Sequence, residues 1–165
     1  MREQNNAELI VPPNTLKAKL GIGTGGIDPE AIKRAEKAME GLKSEFSDWL
    51  AKDIIHLNDA FAAFKNESNS HNASILFRAA HDIKGQATTF EYPLIARVAA
   101  SLSKLMEGLK SRETTPVALV EAHVEAIHVI HRDKIKDTSD LTALTLVEAL
   151  EGRVVKALAR AGQTF

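Results

Sequence analysis

Five segments of this chain repeat apolar residues every three or four positions, and none alternates them every second position, so helices must supply its core. Phe46, Trp49, Leu50, Ile54, Leu57, Phe61 and Phe64 form one stripe, predicted to run to about Lys65. Asp28 followed by Pro29 is an N-cap residue followed by proline at the first helical position, so a helix opening there precedes or joins that stripe. Beyond the polar turn Asn66-Glu67-Ser68-Asn69-Ser70, a second helix carries Leu76, Ala79, Ala80, Ile83, Ala87 and Phe90. Pro93 opens a third, with Leu94, Ile95, Val98, Leu102, Leu105, Met106 and Leu109, predicted to end near Ser111. Thr115-Pro116 restarts the chain into a fourth, with Val117, Val120, Val124, Ile127 and Ile130. Asp137-Thr138-Ser139-Asp140 breaks that helix and caps a fifth, with Leu141, Leu144, Val147, Leu150, Val154 and Leu158. The expected fold class is all-α: an antiparallel up-and-down four-helix bundle with additional N- and C-terminal helical segments.

A length of 165 residues corresponds to about one domain. Residues 1–27, with Pro12-Pro13 and Gly21, Gly23, Gly25 and Gly26, read as a flexible arm whose apolar island is Leu9-Ile10-Val11. Residues 28–165 read as the helical bundle, its core at about 40–136 and its C-terminal helix at about 140–162. Lys plus Arg number 21 against 22 Asp plus Glu, so the net charge of −1 gives no reason to expect a nucleic-acid partner. The absence of cysteine excludes disulfides, thiolate metal sites and a cysteine nucleophile, and fits a reducing compartment. No run approaches the ~20 apolar residues of a membrane span, and Met1-Arg2-Glu3-Gln4-Asn5-Asn6 leads into no apolar signal core. The expectation is a cytoplasmic protein with no membrane partner.

On the second helix, with residues placed ~100° apart and His81 at zero, Leu76, Ala79, Ile83, Ala87 and Phe90 fall at about 160° to 240°. His81 therefore faces away from the core. Ser74, Arg78, Lys84, Gly85 and Thr88 lie within about 60° of it, and Phe77 borders the strip. Gly85 is informative, because a mid-helix glycine costs ~1 kcal/mol relative to alanine and no core packing demands one on the exposed side. Its small size leaves room for another surface to approach the imidazole one turn away. Lys84, three residues from His81, is placed to neutralise negative charge on the ring. These features together make a phosphoryl acceptor's environment.

The segment Ala80-His81-Asp82-Ile83-Lys84-Gly85-Gln86-Ala87-Thr88-Thr89-Phe90 resembles the signature of histidine-containing phosphotransfer (HPt) domains, H-x-x-K-G-x-[AS]-x-x-[FL]. The resemblance takes in Phe77-Arg78-Ala79 and Pro93-Leu94-Ile95-Ala96 and, more loosely, the region from about 40 to 136. It departs at Glu91, where the family commonly has glycine, which leaves the helix-to-helix turn open. The resemblance implies a phosphorelay intermediate. Nε2 of His81 accepts a phosphoryl group from a receiver aspartyl phosphate, or from a sensor histidine kinase, and passes it to a response-regulator receiver. Lys84 supplies charge stabilisation, and Phe77, Arg78, Gly85 and Thr88 meet the partner. The chain brings no cofactor, since the receiver supplies Mg²⁺.

Three other readings compete. His81-Asp82-Ile83-Lys84 also fits the phosphoacceptor and dimerisation helix of a histidine kinase, but Gly85-Gln86 replaces the proline context normal there. Glu125-Ala126-Ile127-His128, with Asp53-Ile54-Ile55-His56 as an approximate second copy, has the spacing of a di-metal carboxylate bundle. His123, His128 and His131 read more simply as partly exposed histidines toward a helix C-terminus. The third reading is a non-catalytic helical interaction bundle.

Overall fold

The computed structural model describes residues 28–162, so the predicted N-terminal arm, with Leu9-Ile10-Val11, lies outside the described residues. Among them are five α-helices, one short 3-10 turn and no strand: α1 (Pro29–Asn66), α2 (Ser70–Thr89), α3 (Pro93–Gly108), the turn Arg112–Thr114, α4 (Val117–Arg132) and α5 (Leu141–Gly162). By its contacts the chain divides into two units, Met1–Glu40 and Gly41–Phe165. In the first, Asp28 caps α1 by accepting from the Glu30 amide at 3.1 Å. The helix opening at Pro29 joins the stripe that follows it, giving one helix of 38 residues.

In the second unit, the later part of α1 buries Leu50, Ile54, Leu57, Ala60, Phe61 and Phe64. Trp49 was expected on that stripe but is 50% exposed, because it lies one residue, about 100°, off the line through Leu50 and Ile54. The connection to α2 is three residues long, and side chains satisfy the backbone there. Asn69 caps α2 by accepting from the Asn72 amide at 2.8 Å, while Asn72 Nδ2 donates to the carbonyls of Ala63 and Glu67.

Helix α3 is the hub and packs against α2, α4 and α5. It can be surrounded because Leu94, Ile95, Val98, Ala99, Leu102, Leu105 and Met106 are buried round much of its circumference, each large side chain contributing about 1.5–3 kcal/mol by its removal from water. Its end comes at Gly108 rather than near Ser111, where the 3-10 turn takes over. Two serines are buried on it as well. Ser103 Oγ donates to the Ala99 carbonyl at 2.9 Å, and Ser101 Oγ lies 3.0 Å from His123 Nε2.

That pairing corrects the reading of His123 as partly exposed. Its ring is 0% exposed and lies on the inward stripe of α4 with Val120, Val124, Ile127 and Ile130. A histidine can be buried there because both ring nitrogens are satisfied. Nδ1–H donates to the Leu119 carbonyl at 2.6 Å and Nε2 accepts from Ser101, an assignment that makes the ring neutral. Burial pushes its pKa below the ordinary histidine value, against the smaller opposing effect of the Leu119 bond. His131 is half-buried beside Tyr92, and His128 is exposed and paired with Asn58.

Asp140 caps α5 by accepting from the Ala143 amide at 2.9 Å. The helix packs on α3 and α4 through Ala143, Val147, Leu150 and Val154, so it is part of the bundle. Leu141, at its first position, is 75% exposed.

Candidate functional site

Helix α2 reaches its neighbours with Ala73, Leu76, Ala79, Ala80, Ile83 and Ala87, all buried, which turns the remaining face outward. His81, Lys84, Gly85 and Thr88 are exposed on that outward face. They line one open concavity of about 410 Å³ whose other wall is Pro93, Ala96, Arg97 and Ala100 of α3. A Cβ built on Gly85 meets nothing within 4 Å. Packing within the chain therefore gives no reason for glycine at this position, although a glycine here weakens the helix. Thr88 Oγ1 turns back to the Lys84 carbonyl at 3.4 Å.

Phe77 is half-buried one turn before His81, their rings 6.0 Å apart and tilted by 40°. The Arg112 guanidinium lies 3.9 Å above the Phe77 ring, within cation–π range. Arg78 is exposed on the same helix but does not line the concavity. The predicted residues thus split: four share one groove, Phe77 edges it, and Arg78 stands apart.

On the other flank of α2, Trp49, Lys52 and Asp53 of α1 with Gln86 and Phe90 line a second concavity of about 370 Å³. Phe46 stacks on Phe90 at 5.0 Å and meets Trp49 edge-on at 5.4 Å. Asp53 Oδ2 is shut off from solvent without a hydrogen-bond partner. Burial, and then the Asp82 charge, raise the Asp53 pKa, partly offset by a hydrogen bond from Gln86 and the charge of His56.

The di-metal arrangement does not assemble. Glu125 and His128 are both exposed, and among the described residues no group of three or more histidine or acidic side chains is placed to hold a metal ion.

A family model described as the Hpt domain matches residues 41–133, more than half of the chain. The chain belongs to the Hpt domain family. Membership brings with it phosphotransfer in two-component signalling, among kinases and response-regulator receivers. No curated protein and no solved structure gave a match.

In this Hpt domain the position where the family commonly has glycine carries Glu91 at φ 63°, in the left-handed region. The Tyr92 amide donates to the Ala87 carbonyl at 2.9 Å across it, the six-residue closure of a Schellman cap. The turn that this departure left open is thus made without glycine. Helix α5 lies beyond the matched residues, yet it reaches the groove through Arg97. Arg97 Nε donates to Glu151 Oε1 at 3.0 Å and Nη2 to Oε2 at 2.7 Å. Reading α2 alone missed the α3 wall. Ala96 and Ala100, small residues four apart on the neighbouring helix, were its visible signal. The pairing of Arg97 with a residue 54 positions away had no local signal.

Proposed function

We propose that this Hpt protein is a phosphorelay intermediate with His81 as its phosphoacceptor. The observation that carries the reading is the concavity in which an exposed His81 stands with Lys84 and a Gly85 that internal packing does not require. The Nε2 lone pair attacks the phosphorus of a receiver aspartyl phosphate. The P–O bond breaks, its electron pair returns to the aspartate carboxylate, and the imidazole retains its proton on Nδ1. Attack by the aspartate carboxylate of a second receiver reverses these steps and leaves a neutral ring. A sensor histidine kinase is an alternative donor.

Lys84 balances charge on the phosphoryl oxygens, which suits a transfer that depends chiefly on positioning and electrostatics. Gly85 leaves clearance for the receiver, and Phe77, Arg78 and Thr88 contribute to its footing. Mg²⁺ comes with the receiver, and the chain supplies no cofactor. The partners are receivers and kinases in the cytoplasm, with neither nucleic acid nor membrane involved. No helix among the described residues is long and apolar enough to cross a membrane.

The test is incubation with a panel of phosphorylated receivers, looking for acid-labile, alkali-stable label. His81→Gln is expected to abolish the label and to keep the fold, since exposed positions usually tolerate substitution within about 0.5 kcal/mol. Label retained in His81→Gln places the acceptor elsewhere.

A further inference from the structure

The groove has a cation on each wall, Lys84 from α2 and Arg97 from α3, and the small residues Gly85, Ala96 and Ala100 line it with them. Arg97 is held by a two-point grip from Glu151, and both side chains remain partly open to solvent. A half-exposed ion pair of this kind contributes little to stability. Its geometric effect is larger, because a two-point grip fixes the plane of a guanidinium that would otherwise sample many rotamers. A guanidinium carries five N–H donors, and the grip occupies two, leaving three. The charge of Glu148 acts on Arg97 in the same direction as that of Glu151, more weakly.

We propose that Arg97 is a second phosphoryl-binding cation of this site and that Glu151, on the helix beyond the family match, is its positioning residue. The proposal rests on His81 being the phosphoacceptor. Once His81 carries a phosphoryl group, unused Arg97 N–H donors meet its non-bridging oxygens from the α3 side while Lys84 meets them from α2. Orientation by Glu151 in advance spares the arginine an ordering cost when the phosphoryl group arrives. Helix α5 thereby acts on the chemistry of the bundle without touching the histidine.

A cation beside a phosphoryl group favours the dianion over the monoanion, so its removal raises the pKa of that group. The full chain is treated with phosphoramidate, a donor that needs no docking: Nε2 attacks phosphorus, the P–N bond breaks with its electron pair going to the already protonated nitrogen, and ammonia leaves. The phosphohistidine ³¹P signal is then titrated through neutral pH, with melting temperature as the folding control. Arg97→Gln is expected to raise the phosphoryl pKa by about one unit, and Arg97→Lys, which keeps the charge, by less than half as much. Glu151→Gln is expected to raise it by an intermediate amount, and Arg97→Gln with Glu151→Gln to match Arg97→Gln alone, because Glu151 acts through Arg97. A titration unchanged in Arg97→Gln overturns the proposal while leaving the acceptor reading standing. A pKa lowered in Glu151→Gln shows that Glu151 only screens the site, and overturns its positioning role. Wild-type chain that takes no label on His81 overturns the acceptor reading and this proposal together.

Discussion

Ser101 of α3 and His123 of α4 form a buried hydrogen-bonded pair, hydroxyl to imidazole at 3.0 Å, inside a core built mainly from apolar side chains. The folded state favours the neutral ring, so the unfolded chain binds more protons once the pH falls below the ordinary histidine value. The stability due to this group is complete above about pH 6.5 and declines on acidification, by at most about 1.4 kcal/mol per pH unit, until the depressed folded-state pKa is reached. His131, shifted the same way by burial and then by His128, adds to the slope. Urea unfolding of wild type and His123→Leu at several pH values between neutrality and mild acid measures the effect. The variant is expected to have a shallower dependence, and an equal slope assigns the titration to other groups.

Glu91→Gly is expected to stabilise the protein. A non-glycine residue in the left-handed region costs roughly 1–2 kcal/mol, part of which is cancelled by the greater freedom of glycine in the unfolded chain, for a net gain of about 0.5–1 kcal/mol. The exposed Lys43–Glu91 contact at 3.9 Å is too long and too solvated to reverse that sign. Thermal melts of Glu91→Gly and Glu91→Val settle it, with the valine variant expected below wild type.

Gly85→Ala is expected to raise stability by up to about 1 kcal/mol, since the added methyl meets nothing within 4 Å and alanine favours the helix. If the groove receives a receiver, the same change slows phosphotransfer, and Gly85→Gln slows it further without loss of helicity. Lys84→Ala is expected to leave receiver affinity nearly unchanged and to lower the transfer rate. Wild-type transfer by Gly85→Gln would remove the clearance argument.

Asp53→Asn is expected to stabilise the fold at neutral pH. The raised carboxyl pKa means that the folded state prefers the protonated acid, so ionisation destabilises it as the pH rises through and above the ordinary aspartate range. The advantage of the asparagine is therefore largest near pH 7 and shrinks below about pH 4, where wild-type Asp53 is protonated in both states. Denaturation at the two pH values shows it, and a variant less stable than wild type at neutrality contradicts the assignment.

Apolar periodicity sufficed for the helices because each of the five buries a stripe, and a stripe is a property of one segment. It was less able to place the residues at a stripe's edge. Trp49 and Leu50 are neighbours that both look like core, and only the packed bundle separates them. His123 was misjudged because its burial depends on a serine 22 residues away, a pairing that no helical wheel displays. The outward face of α2 could be read from sequence because His81, Lys84 and Gly85 fall on one side of a single helix. The opposite wall of their groove belongs to another helix and could not. Glu91 shows the reverse limit, since the Tyr92–Ala87 closure allows the turn to form with a residue that its backbone angle disfavours.

The hairpin at residues 90–92 makes the composition of the groove unusually sensitive to chain length. One residue inserted there would break the Tyr92–Ala87 closure and displace the start of α3, which carries Pro93, Ala96 and Arg97 of the wall. The same insertion between α4 and α5, at residues 133–140, would lengthen a surface segment and leave that wall where it is. Insertions and deletions are therefore expected to be excluded from the first connection and tolerated in the second, even though both are irregular segments between helices of one bundle.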